Sequence, residues 1–163
     1  MKVRLLALAG LAIGFASPAF AQEKVATPAA PNPFQALPAN PSLVQQVEAI
    51  NLKFDEACNK HDREALEALF TTNATHVSPE GTFIGRDVIG KFYGDLFHRH
   101  NLSGRVTKIN YVYTFGGDLC ALGGWIDTIF GSRQAGGFLI SVYTRVGSTW
   151  KIRTSVFNHA TGL

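Results

Sequence analysis

The sequence predicts an α+β domain in which a curved antiparallel sheet wraps on three N-terminal helices. Two observations carry this. Apolar residues recur at helical spacing in three segments between residues 41 and 98. From 104 to 158 the chain then changes to four β-rich runs separated by glycine-containing turns. Helices grouped first and strands grouped second segregate into the two layers of an α+β fold.

The first helix opens at Asn40-Pro41, an N-cap followed by proline at the first helical position. Leu43, Val47, Ile50, Phe54 and Ala57 then fall on one face of a helix running to about Asn59. Asp62 caps a second, shorter helix whose Leu66, Leu69 and Phe70 share a face and which Asn73 ends. Thr75 to Ser78 reads as a short strand stopped by Pro79. Gly85 precedes a third helix, Arg86 to about His98, with Val88, Ile89, Phe92 and Phe97 as its apolar contacts.

The β-rich runs lie near 104–115, 119–130, 137–146 and 149–158, parted by Gly116-Gly117-Asp118, Gly131 to Gly136, and Gly147-Ser148. Gly123-Gly124 inside the second run predicts a bulge or sharp bend. Alternation sends Leu139, Ser141 and Tyr143 to one face of the sheet and Phe138, Ile140 and Val142 to the other. Trp125 and Asp127 oppose Leu122, Ile126 and Phe130 in the same way. One face covers the helices and encloses a pocket. The other is too apolar to stand alone in water, which predicts a homodimer through the outer sheet face, or else a Pro-rich arm folded over it.

Residues 1–21 have the form of a secretory signal peptide: Lys2 and Arg4, an apolar run from Leu5 to Phe15, and Ala19-Phe20-Ala21 as the cleavage site. The run is far short of the ~20 residues a bilayer span needs. The residue after Ala21 is Gln22 and not cysteine, so no lipid anchor is expected, and the expected location is periplasmic or secreted. Residues 22–41 carry five prolines (Pro28, Pro31, Pro33, Pro38 and Pro41) and read as a solvated linker. The domain is then 42–163. Of 15 basic side chains the signal removes two, which leaves 13 against 12 acidic ones. That balance, with no basic run, disfavours nucleic acid as a partner. Cys58 and Cys120 are either a disulfide, worth roughly 4 kcal/mol for a loop of about 60 residues, or two buried thiols.

The order of elements, with Asn59-Lys60-His61-Asp62, Thr75-His76-Val77-Ser78-Pro79-Glu80-Gly81 and Gly85-Arg86-Asp87-Val88-Ile89-Gly90, resembles the nuclear transport factor 2-like superfamily over roughly residues 42–159. SnoaL-like domains and ketosteroid isomerases belong to that group. The resemblance implies a cone-shaped, cystatin-like roll, often dimeric through the sheet. It also implies three catalytic polar groups in the isomerases: a Tyr eight positions before the Asp of the second helix, an Asp before the strand-ending Pro, and a protonated Asp two residues before an aromatic. Here these positions hold Phe54, Ser78 and Ser141, the last ahead of Tyr143. Neither phenylalanine nor serine supplies the base or the strong donors that the isomerisation uses. Tyr93 matches a supporting Tyr on the third helix, its partner replaced by Phe54. Asn158-His159 after Trp150-Lys151-Ile152 matches a polar pair that often ends SnoaL-like chains.

His76 shares a strand face with Ser78 and is expected to titrate near neutrality, which makes it either a hydrogen-bonded histidine at the rim or the leading candidate for a catalytic base. Asp127, beside Trp125, is the candidate to orient His76 or a ligand. Phe54, Ser78, Tyr93, Trp125, Ser141, Tyr143 and Asn158 are the candidate ligand-binding residues; Asn158 shares the face of Ile152, Thr154 and Val156 and is expected in the pocket, with His159 outward. His98 and His100 cannot share a helix face. No zinc-binding spacing, Walker A loop or dinucleotide fingerprint is present, so no metal or cofactor is expected. The expected function is an exported domain that binds a small, mostly apolar organic ligand in an aromatic-lined cone, compatible with lyase, cyclase or hydrolase chemistry. The alternative is a non-catalytic dimerisation or partner-binding module whose cone is plugged by Phe54, Phe83, Phe92, Phe97, Trp125 and Tyr143.

Overall fold

The computed structural model describes residues 37–160, apart from 130 and 132 and the side chain at 133. The expected signal peptide, most of the expected linker, and Phe130 lie outside the described residues. The order of elements is β1 (Leu37–Pro38), α1 (Pro41–Lys60), α2 (Arg63–Glu67), β2 (Phe70–Ser78), β3 (Gly81–Ile84), α3 (Arg86–His100), β4 (Ser103–Phe115), β5 (Asp118–Ile129), β6 (Arg133–Val146) and β7 (Thr149–Phe157). The strands form one sheet in the order β1-β4-β5-β6-β7-β2-β3. Every neighbouring pair is antiparallel except β2 and β7, which run parallel. The fold is thus α+β, a curved, unclosed sheet with the helices N-terminal to its long strands.

Local chemistry sets the helix ends. The Asn40 side chain accepts from the Leu43 N–H at 3.0 Å, and Pro41 follows as the first helical residue. His61 closes α1 in the left-handed region, with φ 56°. Asp62 accepts from the Ala65 N–H at 2.9 Å and starts α2. That helix is shorter than the spacing predicts: Leu69 and Phe70 do not extend it, and Phe70 begins β2. Five residues of helix are too few to hold against a neighbouring strand, because β7 claims the backbone here. Phe70 pairs with Ile152, and the Ile152 N–H donates to the Leu69 carbonyl at 2.8 Å. Val88, expected in the core, is exposed on α3.

Three further differences lie at strand ends. Pro79-Glu80 is a hairpin turn into β3, a strand of four residues that the sequence reading passed over. Leu37–Pro38, placed in the linker, adds to the edge of β4, where proline is tolerated. Arg133 to Gly136 continues β6 rather than forming a turn.

The alternation along β5 and β6 holds. Trp125, Asp127, Leu139, Ser141 and Tyr143 are buried, while Ile126, Phe138 and Ile140 face outward. The sheet bends where β4 skips a residue between Ile109 and Tyr111. Opposite that irregularity the Lys108 carbonyl crosses Gly123 so closely that a Cβ there would collide with it. The core is formed by Val47, Phe54, Leu66, Phe70, Ile89 and Leu119 with their neighbours, at the closed end between α1, α3 and the sheet. Cys58 and Cys120 are both free thiols, Cys58 buried and Cys120 partly so. Burial pushes the Cys58 thiol up to about 12, so it stays protonated.

Candidate ligand-binding site

The inner face of the sheet carries a cavity of about 160 Å³, bounded by β2, α3, β4, β5, β6 and the end of β7. Its walls are aromatic. Phe92, Tyr93, Trp125 and Phe157 line it, and Phe83 stacks on Phe92 at 4.1 Å between ring centroids. His76 stands among these rings, 5.2–6.1 Å from Phe83, Phe92, Tyr93 and Phe157. Its Nδ1 is 2.8 Å from Ser155 Oγ on the parallel neighbour β7. With 1% exposure and the positive Arg105 nearby, its pKa is pushed down to about 4, chiefly by burial. It is a neutral imidazole at physiological pH.

Arg105, which the sequence reading did not single out, is the centre of the site. It enters from β4, 5% exposed, and donates through Nη1 to Asp127 Oδ2 at 2.7 Å. Its guanidinium lies 4.8 Å from the Trp125 ring, 5.0 Å from Phe157 and 5.2 Å from Phe54, close enough for cation–π attraction. Asp55 on α1 approaches Nε at 3.6 Å, while its oxygens accept from the Thr107 N–H and hydroxyl at 2.6 and 2.7 Å. The Arg105 backbone is pinned to α1 as well, since its N–H donates to Asn59 Oδ1 at 2.6 Å. Burial works against the guanidinium charge, but the surrounding acidic groups outweigh it and raise its pKa. Burial likewise pushes the Asp127 carboxyl above the usual range, and Arg105 offsets this only in part.

The predicted residues other than Asn158 divide into three groups. His76, Ser78, Tyr93, Trp125 and Asp127 line the cavity. Asp127, however, bonds to Arg105; the hydrogen-bond partner of His76 is Ser155. Phe54 sits behind the wall, packed edge-on against Tyr93 and beneath Arg105. Burial raises the Tyr93 hydroxyl pKa well above its ordinary value. Ser141 and Tyr143 do not reach the cavity. Tyr143 is fully buried, and its hydroxyl accepts from Asn51 Nδ2 at 2.8 Å on α1.

Asn158 and His159 depart from the places expected for them: Asn158 lies outside the pocket, and His159, though exposed, reaches its mouth. Asn158 is exposed and accepts from the Phe138 N–H at 2.7 Å, whereas His159 lines the cavity mouth. The cause is a bulge in β7. The register with β6 passes from Ile152 to Thr154 and skips Arg153, which reverses the alternation beyond it. At the mouth, His159 Nε2 is 3.5 Å from Glu80 Oε1 and its ring meets Trp125 edge-on at 5.3 Å. Burial alone would raise Glu80, but Ser78, its own backbone and His159 hold it below the usual range. Among the described residues no three His, Cys, Asp or Glu side chains gather as a metal ion would need, and no helix is long and apolar enough to cross a membrane.

No protein-family model matches the chain, and neither does any curated protein. Solved structures do. A protein with a cystatin-like fold from Nostoc punctiforme aligns with a TM-score of 0.67 at 9% identity, over 78% of this chain and 98% of that one. A nuclear transport factor 2-like superfamily protein from Salmonella enterica aligns at 0.65 and 19% identity, over 77% and 97%. A ketosteroid isomerase-like protein from Erwinia carotovora atroseptica aligns at 0.64 and 15% identity, over 76% and 100%. At these identities the likeness shows the fold alone: the chain has the cystatin-like, nuclear transport factor 2-like fold.

Proposed function

We propose that this is an exported domain that binds a small, mostly apolar organic molecule in its aromatic cavity. The observation that carries the reading is Arg105, buried among aromatic rings with Nε and Nη2 lacking a hydrogen-bond partner in the protein. Pockets with apolar walls and a few convergent polar groups suit such ligands. A cavity of this size holds about one six-membered ring, since about 150 Å³ is enough for benzene. The site offers donors to polarise a bound carbonyl. His76 is not a base poised near neutral pH, because burial holds it near 4. Binding is the role this reading favours over turnover, and the cavity beside Arg105 supports it over a cone plugged by its own side chains. Ala135 lines the cavity, and Ala135→Phe is expected to fill it. Native mass spectrometry of the exported protein should show a small-molecule adduct that this variant lacks. An adduct retained in the filled variant places the ligand elsewhere.

Export rests on the signal-like residues 1–21. A homodimer through the outer sheet face is supported by Val106, Tyr111, Ile126, Phe138 and Ile140, all at least 45% exposed on the adjacent strands β4, β5 and β6. Val106 pairs with Ile126 and Leu122 with Ile140, which makes the apolar surface continuous across the strands. Sedimentation of the wild-type chain should give a dimer, and Phe138→Glu a monomer. A monomeric wild type removes this interface.

A further inference from the structure

The polar groups facing the cavity restrict the ligand further, and this step rests on the small-molecule reading above. Arg105 Nε and Nη2, Trp125 Nε1, His76 Nε2 and Asp127 Oδ1 are all buried without a hydrogen-bond partner in the protein, Nε having only its 3.6 Å ion pair with Asp55. All four residues line the same cavity, and each is more than nine-tenths buried. Buried polar groups in native proteins are satisfied almost without exception by protein or ordered water, so a ligand that displaces water here has to complement these. Arginine and tryptophan can only donate, ionised Asp127 can only accept, and His76 does either according to its tautomer. The ligand therefore presents acceptors toward Arg105 and Trp125 and one donor toward Asp127.

Charge separates a neutral carbonyl from a carboxylate. Arg105 is one cation facing two carboxylates, Asp127 at 2.7 Å and Asp55 at 3.6 Å. Glu80 adds another carboxylate at the mouth, beside His159. A ligand anion would bring a further negative charge between aromatic walls where the buried cation Arg105 is already compensated. The geometry points to a neutral ligand of about one ring, with a carbonyl oxygen beside an N–H or O–H donor. Primary amides and lactams have this pairing. The carbonyl accepts from Arg105 Nη2 and Trp125 Nε1, and the adjacent N–H donates to Asp127 Oδ1.

Titration of the full chain with benzamide, benzoate and toluene at neutral pH tests this. Benzamide is expected to bind at least about tenfold more tightly than benzoate. In Asp127→Asn, which removes one negative charge and keeps the shape, that preference should collapse or invert. In Trp125→Phe, which deletes a donor and no charge, benzamide should weaken about fivefold while toluene is unchanged. Benzoate binding as tightly as benzamide in the wild type overturns the inference, as does a benzamide affinity indifferent to Trp125→Phe. Should Asp127→Asn fail to fold, the wild-type ranking and Trp125→Phe decide the matter. Toluene bound without any preference for benzamide leaves the cavity reading standing and removes only the ligand class. Binding of none of the three removes both.

Discussion

Arg105→Met is expected to destabilise the fold by about 3–5 kcal/mol at neutral pH, the range for breaking a buried ion pair by removing one partner. The loss does not measure the attraction between Arg105 and Asp127. It reflects what is left behind: a carboxylate with 4% exposure, its Oδ2 stripped of a donor at 2.7 Å and its Oδ1 already without one. Three aromatic rings lose their cation as well. The penalty has a sign in pH. Burial already raises the Asp127 carboxyl, and without Arg105 it rises further, so the folded variant takes up a proton where the unfolded chain does not. The cost should therefore be smaller in mildly acidic solution than in alkaline solution. Urea unfolding at both pH values checks this. The double variant Arg105→Met/Asp127→Leu should recover much of the loss, because two apolar side chains leave no orphaned charge. A double variant no more stable than Arg105→Met would show that packing, and not the stranded carboxylate, sets the cost.

The same residue marks the limit of what the sequence could reveal. Helix α1 was legible because Asn40-Pro41 and the stripe from Leu43 to Ala57 are local signals. Strands β5 and β6 were legible because each side chain alternates without interruption over the stretch that was read. The trio of His76, Trp125 and Asp127 followed from that alternation, and all three face one cavity. Arg105 did not, since an arginine near a strand start reads as a solvated charge. Only tertiary structure shows that Asp55, 50 residues earlier, and Asp127, 22 residues later, converge on it. Its one sequence signal was position: Arg105 alternates with the outward Val106 and so belongs to the inward face. Asn158 and His159 were misplaced for a different reason. A single skipped residue at Arg153 reverses every side chain beyond it, and a bulge of that kind leaves no glycine or proline behind to reveal it. The parallel pairing of β2 with β7 is likewise a contact between distant segments, which no local pattern encodes.

Below about pH 6.5 the protein should lose stability through His76, by about 3 kcal/mol in total once the pH has fallen below about 4. The unfolded chain binds a proton near the ordinary histidine value, whereas the folded one resists until about 4 because the ring is buried and faces the charge of Arg105. A depressed folded-state pKa contributes stability that is complete above the unfolded value and is lost as pH falls through the folded one. Carboxyl groups titrate in the same region and act in both directions, Asp127 raised and Glu80 lowered. The measurable quantity is therefore the stability of wild type minus that of His76→Gln, a neutral variant with a donor and an acceptor to offer Ser155. That difference should be flat above pH 7 and fall steadily toward pH 4. A difference flat throughout would mean that the imidazole accepts its proton in place, with water reaching Nε2 from the cavity. The two outcomes carry different chemistry. A histidine that protonates only as the fold gives way is a fixed neutral hydrogen-bonding group in an aromatic wall, which suits holding a carbonyl ligand. A histidine that titrates within the intact fold is free to exchange a proton with whatever occupies the cavity, and would return His76 to the role of a base.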